Sequence, residues 1–474
     1  MPEIWKNLLM PLFNFMLPRL RPAIVSGLVA LFLAMPAAAV TWSEEGYFRG
    51  DNVPDPELMF WKNQDSFGLT VAIDGDIAVI SANKDMQSDD PNKPSGEDGA
   101  VYVYERIDGK WQRQVKLSGD TGRYFGKHVD ISGNTIVVAQ FDEADELRQV
   151  LDGTVYVFEK RDGQWVESAR LGGDETAGGF AAAVAISGDT IVVGAQHDDD
   201  NGRDTGAVYV FVRENGGWRR QAKLYPADPD TEFTGHHFGF MVEIEGDTLA
   251  VSAPNDKEQD FHAGAVYVFS RDAKGNWFET AKLLAPDGGE YDSLGAANIV
   301  ISGDTIAAAT SRHDHQGEHS GAVYIYRHIN CEWILEKELL PLQDDRPDFP
   351  DWVPDGAADF LSFLPTDRAA GYQFGPVDVQ GDWLIVGAFT ADFSLPDSGV
   401  VYLYKRSGTE WIRLATITPL DSSPLQRFGI AVGLSGATAI ISERHNDFGA
   451  ARFISLQEVD IATVAASSQQ CAKP

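Results

Sequence analysis

From about residue 40 onward, short apolar runs alternate with tight polar turns, and the order of the runs recurs. The unit is clearest at residues 180–224, FAAAVAISGDTIVVGAQHDDDNGRDTGAVYVFVRENGGWRRQAKL. An aromatic-led apolar run, a Gly turn, a Val/Ile run and a polar loop are followed by a Gly-led Val/Tyr/Phe run, a second turn and a Trp-led run. Runs of four to six β-branched and aromatic residues bounded by turn residues predict strands, and no long 3.6-period stretch follows the N-terminus. The pattern predicts an all-β fold.

Seven units begin with an aromatic-Gly pair or a close variant: Phe67-Gly68, Phe125-Gly126, Phe180-Ala181, Phe238-Gly239, Leu294-Gly295, Phe374-Gly375 and Phe428-Gly429. The steps between them are 58, 55, 58, 56, 80 and 54 residues. Shortly after each start comes a tight turn such as Asp74-Gly75-Asp76 or Ser187-Gly188-Asp189, a strong hairpin signal because Gly accepts positive φ. The third run opens at Gly99, Gly153, Gly206, Gly264, Gly321, Gly399 and Gly449. The fourth carries Trp with an apolar residue six positions on: Trp111/Leu117, Trp165/Leu171, Trp218/Leu224, Trp277/Leu283, Trp333/Leu339 and Trp411/Ile417. Even spacing predicts that both members share one face of the strand and pack on the neighbouring sheet.

The last unit has no Trp-led run, but Trp42 and Phe48, upstream of the first unit, stand at the same six-residue spacing. The N-terminal strand is therefore expected to complete the last sheet and close a ring, which hides the edges an open array exposes. The expectation is a seven-bladed β-propeller over residues 40–459; a capped linear array is the alternative. The long step holds a Pro- and Asp-rich insertion at 341–370, and residues 460–474 read as a flexible tail.

Residues 1–39 read as a signal peptide: Lys6, Arg19 and Arg21, an apolar run over 23–35, then Ala37-Ala38-Ala39. A membrane anchor is the alternative, helped by the apolar stretch at 8–17. The run at 23–35 is short for a span. Export to the periplasm, the cell surface or the medium is expected, with no stable membrane span after processing. Without this leader, 35 basic residues face 70 acidic ones, which opposes binding to nucleic acid or anionic lipid. The two cysteines, Cys331 and Cys471, exclude a disulfide scaffold; whether they pair or stay free is open on sequence grounds.

In an up-and-down blade, the loops from second to third strand and the links between blades share one face. Here they are long, variable and acidic, as at 81–98, 141–152, 196–205 and 341–370. Variable loops on a rigid scaffold are where recognition tends to sit.

With Phe-Gly at five of seven starts, and Val193-Gly194-Ala195 or Ser252-Ala253-Pro254 after second strands, the chain resembles the FG-GAP repeat family, which also heads integrin α chains. The resemblance covers roughly 42–459 and implies a seven-bladed propeller while leaving function open. Calcium-binding members carry a D-x-D-x-D-G-x-x-D loop between the Phe-Gly and Gly-Ala-Pro pieces. Every unit here has only a short turn at that position, so those calcium sites do not carry over and no cofactor is expected.

Candidate metal ligands are Asp198, Asp199, Asp200 and Asp204 in the loop HDDDNGRD, although these acids are consecutive rather than alternating. Asp85, Asp89 and Asp90 form a weaker set. His313, His315 and His319 stand in one loop and offer imidazoles to zinc or copper. His236-His237 is read as packing at a blade junction. No nucleophile–base motif stands out, so no catalytic residue is assigned and a non-enzyme is expected. The expectation is a monomeric binding or adhesion module that recognises an extracellular or envelope protein or glycan through its acidic loops. A carbohydrate-active enzyme with a channel-centred acidic site and a structural envelope protein are the alternatives.

Overall fold

A computed structural model describes residues 39–51, 65–85, 99–119, 124–140, 153–174, 178–229, 235–310, 312–314, 320–341, 374–391, 395, 397–419, 421–423, 425–445 and 448–459. Outside them lie the expected signal peptide (all but Ala39), nearly all of the 341–370 insertion, the 460–474 tail, Asp89, Asp90, His315, His319 and Cys471. Among the described residues, no helix is long and apolar enough to cross a membrane.

The strands form seven four-stranded antiparallel sheets. Blade three shows the plan in Phe180–Ser187, Thr190–Ala195, Ala207–Glu214 and Gly217–Leu224, paired in chain order. Blade seven breaks the order: Val432–Ser435, Thr438–His445 and Phe448–Val459 are followed by the N-terminal strand Ala39–Arg49. Trp42 lies opposite Leu456, and Ala39 lies opposite Val459. The ring is thus closed by the first of the described strands, as the Trp42/Phe48 spacing predicts.

Two kinds of glycine make the repeat possible. In blade three, Ser187 pairs with Thr190 across a two-residue loop whose first residue, Gly188, has φ of 54°. A single positive φ at the first central position suits the type II′ turns that match strand twist. Gly206 instead answers to space: a Cβ there would lie 2.0 Å from the carbonyl oxygen of Phe238, in the next blade.

The hairpins are also linked to one another. The residue before each turn glycine offers a side-chain oxygen to the corresponding glycine N–H of the following blade. Gly133 donates to Asp74 at 2.6 Å, Gly188 to Ser132 at 3.0 Å and Gly246 to Ser187 at 3.0 Å. Gly303 donates to Glu245, Gly381 to Ser302 at 2.9 Å and Gly436 to Gln380. Gly75 donates to Ser435 at 2.8 Å and completes the circuit.

Hydrophobic packing follows the blade interfaces. One cluster joins Val137, Val155 and Leu171 of blade two to Phe180, Ile191 and Tyr209 of blade three, and similar clusters fill the other interfaces. Here the expectation that each Trp and its partner six residues on share a face is corrected. Each of the six Trp-led outer strands carries a register shift, as between Val210 and Phe211 opposite Ala222 and Arg220. A β-bulge inserts one residue and reverses the alternation beyond it. Trp218 therefore packs against the interface of blades two and three, whereas Leu224 packs against that of blades three and four. Each outer strand touches both neighbouring interfaces.

Candidate functional site

On the loop face, the same polar cluster is built in three blades from three sequence positions. A Tyr on the third strand, an Asp three residues beyond the second strand and a Lys one residue before the outer strand's final Leu meet there. In blade four, the Tyr267 hydroxyl lies 2.8 Å from both Asp256 and Asp228, and the Lys282 ammonium lies 2.8 Å from Asp256, 2.7 Å from Asp228 and 2.8 Å from Glu258. Blade three repeats it with Tyr209, Asp198 and Lys223, the lysine 2.8 Å from Asp198 and 2.6 Å from Asp200. Blade one has Tyr102, Asp85 and Lys116, with Tyr102 donating to Asp85 at 2.6 Å and Lys116 3.0 Å from it. Burial raises the Tyr267 hydroxyl well above its ordinary value, as the nearby carboxylates also do. These clusters weld loops to sheets, since a charge taken from water needs close partners.

The candidate ligands of the 196–205 loop are therefore largely spoken for. Asp198 is fully buried against Lys223 and Tyr209, and Asp200 binds Lys223 and Tyr225. Asp199 accepts the Asp204 backbone N–H at 2.7 Å. Asp204 stands apart, 2.9 Å from His197 Nδ1 and 3.4 Å from Arg203. The structure does not gather the four carboxylates around one point. It instead brings Asp204 together with His197 and His237, whose ligand atoms lie within 4.8 Å of one another. The His237 imidazole is pushed down to about 4 by burial and by His197 beside it. Sequence reading placed His237 at a blade junction; it sits there, and its closeness to His197 is what pattern alone did not show. Cys331 is exposed in the hairpin between Ala322–Ile329 and Glu332–Leu339.

Of the histidine candidates, His313 is described. It is buried, with Nδ1 2.8 Å from Asp292. Burial alone would lower its pKa, but the bond to Asp292 and the charges of Asp292, Asp287 and Glu338 carry it above the ordinary value.

An aromatic platform missed in the sequence stands between blades four and five. Phe261 stacks on His262 with centroids 4.1 Å apart, and Tyr291 meets both edge-on at 5.3 Å. Phe261 and Tyr291 keep 39% and 47% of their surface exposed. Backbone bonds from Tyr291 to Phe261 (2.9 Å) and from Ser293 to His262 (3.0 Å) hold the two loops together. Two adjacent aromatic residues in unrelated loops give no signal until the fold pairs them.

A second concentration of acids lines the central channel, a cavity of 620 Å³ bordered by first strands of every blade. Asp130, Glu243 and Asp378 occupy the position two residues before the turn residue in blades two, four and six, where blades one, three, five and seven have Ala72, Ala185, Val300 and Gly433. Burial, then mutual repulsion, raises Asp130 to about 7 and Glu243 well above the usual carboxylate range; burial raises Asp378 to about 7. Asp130 accepts the Ile186 N–H and Asp378 the Leu434 N–H, each from the next blade.

The FG-GAP repeat family model matches the chain five times, over residues 62–104, 111–158, 165–211, 218–269 and 277–326. Four of these matches run from the outer strand of one blade to the third strand of the next, so the repeated unit straddles a blade boundary. No curated protein matches the chain. Among solved structures, it is similar to the β-propeller domain of the Trilobed protease from Pyrococcus furiosus, with 8% identity, a TM-score of 0.45, and coverage of 82% of this chain and 94% of that one.

Proposed function

The chain belongs to the FG-GAP repeat family, and from that premise we propose that it is an exported binding propeller that recognises an extracellular glycan or protein through its acidic loop face. The observation that carries this reading is the Phe261–His262–Tyr291 platform. Large exposed aromatic rings fixed by backbone bonds lose little entropy on binding and present an apolar surface beside polar groups. Asp260 and Glu290, exposed and next to Phe261 and Tyr291 in the chain, would offer acceptors to ligand hydroxyl or ammonium groups, although Asp260 Oδ1 already accepts the Phe261 N–H at 2.7 Å. The test is an array of glycans and extracellular proteins probed with the full chain and with a Phe261→Ala/Tyr291→Ala variant. Hits retained at full strength by the variant would refute the platform as the recognition element.

A second reading is favoured by the channel carboxylates. Carboxyls raised toward neutrality by burial can supply the proton in glycoside cleavage. Polysaccharide turnover that disappears in Glu243→Gln and Asp130→Asn would support it, and no turnover across a broad panel would remove it.

A further inference from the structure

Blade five departs from the polar cluster of blades one, three and four at two of its three positions. Tyr324 is retained, with its hydroxyl donating to Asp287 at 2.8 Å. Where the others place Asp85, Asp198 and Asp256, it places His313, and where they place Lys116, Lys223 and Lys282, it places Glu338. An ammonium that sits among carboxylates in three blades is thus exchanged for another carboxylate, and the carboxylate at its centre for an imidazole.

We propose that Asp287, His313 and Glu338 form a binding site for a divalent transition metal ion of the zinc type. The three ligand atoms lie within 4.8 Å of one another. His313 Nε2 is 3.5 Å from Asp287 Oδ2 and 3.8 Å from Glu338 Oε1. These separations are long for hydrogen bonds. They approach the spacing of about 3.3–3.6 Å between neighbouring ligands of a tetrahedral ion with bonds of about 2.0–2.2 Å.

The support around the ligands has the same character. His313 keeps only 5% of its side-chain surface exposed, and its Nδ1 faces Asp292 Oδ2 at 2.8 Å. Asp292 also accepts the Gly289 N–H at 2.8 Å, which fixes the carboxylate. A carboxylate behind the distal ring nitrogen orients a metal-binding imidazole and directs the other nitrogen to the ion. Asp287 and Glu338 keep 34% and 28% of their side chains exposed, while His313 Nε2 and Glu338 Oε1 themselves are buried, so an ion would be held just beneath the surface and reached past the two carboxylates. One imidazole with two carboxylates suits zinc or manganese better than a calcium shell of six to eight oxygens.

The experiment is equilibrium dialysis of the full chain against Zn²⁺, compared with Glu338→Lys, which introduces the lysine found at this position in blades one, three and four. Wild type is expected to take up one equivalent of zinc more than Glu338→Lys and than the double variant His313→Asp/Glu338→Lys, which rebuilds the blade-four arrangement. Asp292→Asn should retain that equivalent with affinity about 10- to 100-fold weaker. Equal uptake by wild type and Glu338→Lys would overturn the proposal, whether zinc then sits at His197, Asp204 and His237 or is not bound at all.

Discussion

Gly75 donates its backbone N–H to the Ser435 hydroxyl at 2.8 Å, although the two residues are 360 positions apart in the chain. The bond joins the first hairpin to the last and repeats the contact made at each other blade boundary. It explains why Asp, Ser, Glu or Gln stands before every turn glycine: the side chain is the acceptor for the next blade.

Gly188 and Gly206 should respond very differently to alanine. At Gly188 the added Cβ meets nothing within 4 Å, so the cost is that of a left-handed φ, about 1–2 kcal/mol. At Gly206 the Cβ would strike the Phe238 carbonyl, and the loss should exceed about 4 kcal/mol or abolish folding. Urea unfolding of both variants measures the contrast, and similar losses would contradict it.

The channel carboxyls predict a stability that falls as pH rises. Their native pKa values stand above those of the unfolded chain, so between the usual carboxylate range and about 7 the folded state holds protons that the unfolded state has released. The stabilising contribution is full under acid conditions and lost as pH climbs through about 7. Glu243→Gln removes one of these titrating carboxyls, whose own pKa burial and the neighbouring acids hold well above the usual range; its urea midpoint should exceed that of wild type above neutrality and converge with it in acid. A gain independent of pH would show that ionisation of the buried carboxyl is not the cause.

Removing the Lys282 ammonium should be far more costly than removing an exposed one. Lys282→Ala leaves Asp256, 1% exposed, without its nearest positive charge, a loss of about 3–5 kcal/mol. Lys337 pairs with Glu410 at 3.0 Å in the open, and Lys337→Ala should cost under about 1 kcal/mol. Thermal denaturation of the two variants side by side tests the ranking.

Without residues 39–49, the strand Phe448–Val459 would expose its outer edge together with the apolar surface covered by Trp42 and Phe48. The truncated chain should lose cooperative unfolding and associate. Light scattering and denaturation curves indistinguishable from wild type would count against closure by this strand.

The blades, their turns and the closing strand were legible because each rests on local signals: alternation, Gly-Asp pairs and the displaced Trp42/Phe48 spacing. The bulge in each outer strand was not, since one extra residue leaves the composition of a run unchanged while reversing the face of Leu224 relative to Trp218. Acids of the loop HDDDNGRD were visible as a group, yet the group divides in space because Lys223 reaches Asp198 and Asp200 from the outer strand. Asp130, Glu243 and Asp378 looked like any other acids. Comparing equivalent columns of the seven units would have found them, as it would have found the exchange of Lys for Glu338 in blade five.

Ala39 opposite Val459 places the point where the chain enters blade seven beside the point where it leaves. A pull between these two points would load the antiparallel ladder one rung at a time, starting from that end, rather than shearing all rungs together. Tethered at both ends, the propeller would peel open like a zip under modest force.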